Sequence, residues 1–242
     1  MHGRPLLLVV ALTTMLLVAC QPPPRGARVL VLGDSLTAEA RESGEGRVRL
    51  GAFRTDWAGA IYGSAPCDGI AAMKKVAHQP DVVVVAYSGN SYPSRCMEGE
   101  AGAALTARYV ADITAIVRHF DNGRTRIVLV GAPVRMDIRA DADAVFVAVR
   151  NLASRLGVTF VDGGANLTPG RTFRATGACL ADERTCGTAG RGRNVLRSDD
   201  RVHFCPGRGP ELSGACPGGY SSGAVRYTRN LLTAINLSSV PS

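Results

Sequence analysis

The run Asp81–Tyr87, DVVVVAY, constrains this chain more than any other stretch. Four consecutive valines leave no polar face, so the segment reads as a strand buried on both sides, the situation of strands in parallel sheets. A second apolar run, Val29–Leu32, ends abruptly at Gly33-Asp34, and Ser35–Arg41 then reads as a helix. Further along, helical spacing is expected over Cys67–His78 (stopped by Pro80), Gly102–Phe120 (stopped by Asp121-Asn122-Gly123), Asp141–Leu156 and Tyr220–Leu237. Short strands are expected near Trp57–Tyr62 and at Arg126–Val130 and Val158–Val161. Strands alternating with helices predict an α/β domain, a central parallel sheet of about five strands covered on both faces. From Gly163 to Gly219 the chain is rich in Gly, Arg and Cys without periodicity, and it reads as one long functional loop.

The first residues lie outside that pattern. Arg4, the apolar stretch Leu6–Ala19 and the ending Leu17-Val18-Ala19-Cys20 have the layout of a secretory signal, too short for a membrane span. The ending resembles a bacterial lipobox, which implies cleavage after residue 19 and acylation of Cys20. Residues 20–26, with three consecutive prolines, then form a stiff spacer, and 27–242 a single domain. The expected location is the outer face of a bacterial membrane or the cell envelope.

Seven cysteines are present. Setting Cys20 aside leaves Cys67, Cys96, Cys179, Cys186, Cys205 and Cys216, an even set in a chain read as exported. Proximity pairs Cys179 with Cys186 and Cys205 with Cys216, leaving Cys67 with Cys96. No Cys-x-x-Cys pair exists and histidines are few, so no metal or other cofactor is expected. The net charge of +8 suits anionic partners, but without a nucleic-acid-binding motif it does not indicate nucleic acid.

Ser35 follows a strand and opens a helix, where unpaired N–H groups favour developing negative charge. A serine nucleophile needs a base, and His78, His119 and His203 are the candidates beyond the leader. His78 and His119 end helices and need no further role. His203 lies in Asp200-Arg201-Val202-His203, where a carboxylate three residues back can hold its imidazole; Asp199 is the alternative acid. Ser221, in Gly-Tyr-Ser-Ser-Gly, imitates a nucleophile elbow, but no strand is expected before it and no histidine follows, so it reads as a helix N-cap.

Taken together, Gly33-Asp34-Ser35-Leu36, a glycine after the second strand, Asn90 after the third and Asp200-x-x-His203 resemble the SGNH/GDSL hydrolases over the whole mature chain. Tyr-Ser-Gly-Asn followed by a cysteine looks like a branch of secreted bacterial members. The resemblance implies a flavodoxin-like α/β/α sandwich, a Ser35–His203–Asp200 triad, and oxyanion donors from the Ser35 N–H, the Asn90 amide and a glycine, Gly63 or else Gly59. It departs from the family where Ser91 replaces the usual aspartate of Gly-x-Asn-Asp. The implied function is a lipid-anchored, monomeric serine esterase hydrolysing, or transferring, acyl esters on envelope glycans or lipids. The competing expectation is a non-catalytic glycan- or solute-binding lipoprotein, with the arginines between Arg171 and Arg208 as its ligand face.

Overall fold

The computed structural model describes residues 26–43, 53–92, 94–205 and 220–237. The expected leader, Cys20, most of the spacer, Arg208 and Cys216 lie outside them. Five strands, β1 (Arg28–Gly33), β2 (Arg54–Ala60), β3 (Val82–Ala86), β4 (Arg126–Gly131) and β5 (Thr159–Asp162), form one sheet in the order β2-β1-β3-β4-β5. All four pairings are parallel. Every residue of β3 is buried, as its valine run requires.

The helices divide between the two faces. On one lie α2 (Pro66–Met73), α3 (Gly102–Phe120) and α4 (Arg139–Leu156), whose Met73, Tyr109, Ile116 and Val149 pack with Leu30, Val83 and Leu129. On the other, α1 (Ser35–Glu42) and α5 (Ser222–Leu237) place Leu36, Ala40, Tyr227 and Leu231 against Val31, Val84 and Val130. Each such large side chain taken wholly out of water contributes about 1.5–3 kcal/mol. The result is a three-layer sandwich with flavodoxin-like strand order. Among the described residues, no helix is long and apolar enough to cross a membrane.

Three expectations are corrected. The second strand is Arg54–Ala60 rather than Trp57–Tyr62: it is the sheet's edge, and its mixed composition hides the period. The helix expected to reach His78 ends at Met73, five residues before the histidine. The long loop also holds a small antiparallel pair, β6 (Thr176–Ala178) with β7 (Arg193–Val195). Cys67–Cys96 and Cys179–Cys186 are bonded as expected. Cys205 is also disulfide-bonded, and its expected partner Cys216 lies outside the described residues.

Candidate active site

Strand order reverses between β1 and β3, the crevice where open α/β sheets bind ligands. Ser35 stands at the end of β1 and Asn90 just beyond β3. Asp34 is the N-cap of α1 and accepts the Leu36 N–H at 3.1 Å. Ser35 is therefore the first helical residue, and its own N–H has no intrahelical acceptor. Both faces of the helix start are packed, leaving Ser35 5% exposed.

The histidine comes from the other end of the chain. His203 Nε2 lies 3.0 Å from Ser35 Oγ, and Nδ1 lies 2.6 Å from Asp200 Oδ2. The other carboxylate oxygen of Asp200 accepts the Val202 N–H at 2.8 Å, the His203 N–H at 3.0 Å and the Ser198 hydroxyl. Burial works against this carboxylate, but the bonds from His203, Ser198 and Val202 outweigh it and hold Asp200 well below the usual range. Asp200 is thus ionised and fixed. The Asp200–His203 turn is closed by Ser198 N–H to His203 C=O at 2.7 Å and by Arg201 at φ +60°, a left-handed value rare outside glycine. Asp199 makes no such contact with His203 and is exposed.

Two buried ionic groups hold the peptides on either side of His203. Glu39 of α1 accepts the Phe204 N–H at 2.7 Å. Arg197 donates to the carbonyls of Val202 and of Val134, the latter at 3.0 Å, and lies over the Phe204 ring at 4.5 Å. Burial lowers the Arg197 pKa to about 10, partly offset by the charge of Glu39, so it stays cationic at neutral pH.

The second edge of the site is the turn after β2. Gly63 takes φ +71°, a conformation that suits glycine, and lines the same cleft as Ser35, Asn90 and His203. Ser64 hydroxyl donates to Gly33 C=O at 2.8 Å, tying this turn to the end of β1. Gly59, the other candidate, lies inside β2, paired with Leu32. Cys67–Cys96 fastens the first turn of α2, just past Gly63, to the loop beyond β3.

Asn90 is held from several sides. Its Nδ2 donates to Ser64 C=O at 3.1 Å and lies 3.5 Å from Asp34 Oδ2, while its Oδ1 accepts from Arg135 at 2.5 Å. Asp34, wholly buried, also accepts the Ser88 N–H at 2.7 Å and the Ser88 hydroxyl at 2.5 Å. Burial pushes its carboxyl up in pKa; Ser88, Arg135 and the Leu36 N–H pull against that rise.

The cleft over these groups has a volume of about 700 Å³, rimmed by Tyr62, Tyr92 and Asp137. Ser88 lies beneath, in the hydrogen-bond network rather than on the cleft. Ser221 stands at the start of α5, where its hydroxyl donates to Phe204 C=O at 2.6 Å and faces the Ala224 N–H at 3.3 Å, as an N-cap does. His78 lines a separate cleft of about 560 Å³ beside the starts of β1 and β2. Cys67, Asp68 and Cys96 have metal-ligating atoms within 4.8 Å of one another, but the disulfide consumes both thiols. Of the described arginines of the long loop, Arg171 pairs with Asp143 and covers Phe146 at 3.7 Å, and Arg197 is internal, so these two are not part of an exposed ligand face.

Sequence reading missed Glu39, Arg135 and Arg197. Arg135 follows the carboxyl end of β4, so its position carried a signal. Nothing in sequence marks Glu39 or Arg197, whose importance comes from burial.

No family model and no curated protein matches the chain by sequence. Solved structures do match it by shape. The acetylxylan esterase of Geobacillus stearothermophilus aligns at TM-score 0.57 and 19% identity, over 92% of this chain and all of that one. A GDSL-like lipase of Bacteroides thetaiotaomicron aligns at 0.54 and 12% identity, over 93% and 96%. The chain has the fold of the SGNH/GDSL hydrolases. A putative acylhydrolase of Bacteroides fragilis aligns at 0.56 and 13% identity, over 98% of this chain and all of that one.

Proposed function

We propose that the protein is an extracytoplasmic, lipid-anchored serine esterase of SGNH/GDSL type, acting on acyl esters of envelope glycans or lipids. The observation that carries this reading is the continuous path Ser35 Oγ–His203 Nε2 at 3.0 Å and His203 Nδ1–Asp200 Oδ2 at 2.6 Å, opening on a cleft. Asp200 holds the Nδ1–H tautomer, so Nε2 offers its lone pair to the serine proton. Ser35 Oγ attacks the acyl carbonyl carbon, and its proton passes to Nε2. The oxyanion is received by the Ser35 and Gly63 N–H groups and the Asn90 amide. As the tetrahedral intermediate collapses, His203 protonates the departing alcohol. A water activated by the same histidine then frees the acyl group; a sugar hydroxyl in its place gives acyl transfer.

Tyr62, Tyr92 and Asp137 at the rim suit a polyhydroxylated alcohol better than a long acyl chain, and the acetylxylan esterase supports the same class. The lipid anchor rests on the Leu17-Val18-Ala19-Cys20 ending alone. The test of the enzymatic reading is hydrolysis of a chromogenic acetate ester by purified protein. Ser35→Ala and His203→Ala are each expected to lower turnover by about 10³-fold or more, and the double variant to cost little further, because the two act as a unit. Undiminished activity in Ser35→Ala defeats the proposal.

A further inference from the structure

Arg135 has no part in the chemistry described above, yet it is 6% exposed and carries the densest set of side-chain contacts at the site. Its guanidinium has five donor hydrogens. The Nε and one terminal nitrogen grip Asp137 in a two-point fork, at 3.0 and 2.6 Å. The other terminal nitrogen donates to Ser88 Oγ at 2.8 Å and to Asn90 Oδ1 at 2.5 Å. Ser88 in turn donates its hydroxyl hydrogen bond to Asp34, the residue that caps the helix of Ser35. Four of the five donors are thereby committed, and one of them lands on the side chain that must present an N–H to the oxyanion.

An asparagine amide is nearly symmetric in shape, and only its partners decide which end carries the donors. Arg135 can only donate, so the atom facing it must be the carbonyl oxygen. Ser64 C=O can only accept, and Asp34 Oδ2 already accepts from the Ser88 N–H and hydroxyl, so the atom facing them must be Nδ2. Turning the amide over would set donor against donor at Arg135 and acceptor against acceptor at the other two. The contact to Asp34 is long, at 3.5 Å, and the contact to Ser64 rests on a turn, so the short bond to Arg135 is the firmest of the three. The fork to Asp137 fixes the guanidinium plane in turn, which a lysine could not reproduce.

We propose that Arg135 is a positioning residue: anchored by Asp137, it locks the Asn90 side chain so that one amide hydrogen stays on Ser64 C=O and the other, which makes only the long 3.5 Å contact to Asp34, is free to turn to the oxyanion. This rests on the serine-esterase reading. Arg135 also lines the cleft, but the effect assigned to it here is exerted through Asn90.

The test is a double-mutant cycle on chromogenic ester hydrolysis with wild type, Arg135→Ala, Asn90→Ala and the double variant. Asn90→Ala is expected to lower kcat about 10²–10³-fold, the usual loss of one oxyanion donor. Arg135→Ala is expected to lower kcat by roughly 10–100-fold with KM changed less than about threefold, since the lost interaction exists only in the transition state. In the Asn90→Ala background the same change should cost under about threefold, and added guanidinium should restore part of the activity of Arg135→Ala but none of the double variant's. A purely structural role predicts no such selective rescue. Arg135→Lys, which keeps the charge, covers the case in which the alanine variant misfolds; it should also lose at least about tenfold in kcat, and only with Asn90 present. Losses that multiply in the double variant overturn the proposal, because Arg135 would then act independently of Asn90. An Asn90→Ala protein with full turnover removes the oxyanion role itself. If wild type neither hydrolyses esters nor reacts with a fluorophosphonate, the esterase reading falls and takes this one with it.

Discussion

Gly223 offers a small change with a traceable consequence. It lies in the first turn of α5, packed against the segment that carries Asp200 and His203. A methyl group there would sit 2.1 Å from the Leu196 carbonyl oxygen and 3.0 Å from the Phe204 ring. An ordinary carbon–oxygen approach is about 3.3 Å, so helix and loop must part by about 1 Å. The obstacle is backbone, which cannot swing aside. Replacing glycine by alanine inside a helix ordinarily gains about 1 kcal/mol, while overpacking costs about 1–3 kcal/mol. For Gly223→Ala we expect a net loss of up to about 2 kcal/mol, or a Tm lower by up to roughly 8 °C at this size. The larger effect is on chemistry: a reacting group displaced by about 1 Å can lose on the order of 10²-fold in rate. Thermal melting by circular dichroism and kcat on a chromogenic ester measure both. A variant that melts at or above wild type with unchanged kcat would show that the α5 contact does not position His203.

Three further outcomes follow from the same contacts. Ser221→Ala should cost about 1 kcal/mol as a lost N-cap, seen in the melt, while retaining ester turnover; lost turnover in a folded variant would point to a role beyond the cap. Glu183, held by Arg226 at 2.8 Å together with Ser222, Leu180 N–H and Asn194, has its pKa lowered to about 2 despite burial. Its folded value lies below its unfolded one, so its contribution is complete above about pH 4.5 and lost as pH falls towards 2. Glu183→Gln should start less stable and show a shallower fall in Tm over that window; an unchanged slope would contradict the assignment. Replacing both Cys67 and Cys96 with serine should cost about 2–4 kcal/mol and depress kcat, because the bridge ties the turn of Gly63 to the loop of Asn90; unaltered turnover would separate the bridge from the site.

The parallel sheet was legible because β3 throughout, and β1 and β4 beyond their first arginine, are buried and therefore carry uninterrupted apolar runs, a demand that sequence records directly. Strand β2 begins three residues and ends two residues before the range expected from sequence, since an edge strand bearing Arg54 and Asp56 has no such demand. The β6–β7 pair left no pattern at all: three-residue strands in Gly/Arg-rich chain are set by the neighbouring Cys179–Cys186 bridge and by the buried Asn194 rather than by periodicity. Ser35, Asn90, Asp200 and His203 were nameable because each ends an element or sits in a recognisable short motif. Glu39, Arg135 and Arg197 were not, because an arginine or glutamate in a surface-like context is ordinarily solvated, and only packing reveals that these three are enclosed.

The central claim is that Ser35 is a nucleophile activated by His203. Mass spectrometry of the protein after exposure to a fluorophosphonate tests it most directly. The Ser35–His203–Asp200 path predicts a single adduct on the peptide containing Ser35, abolished by Ser35→Ala and strongly slowed by His203→Ala. An adduct on Ser221 or Ser88 instead, or no adduct on a well-folded protein, would contradict it.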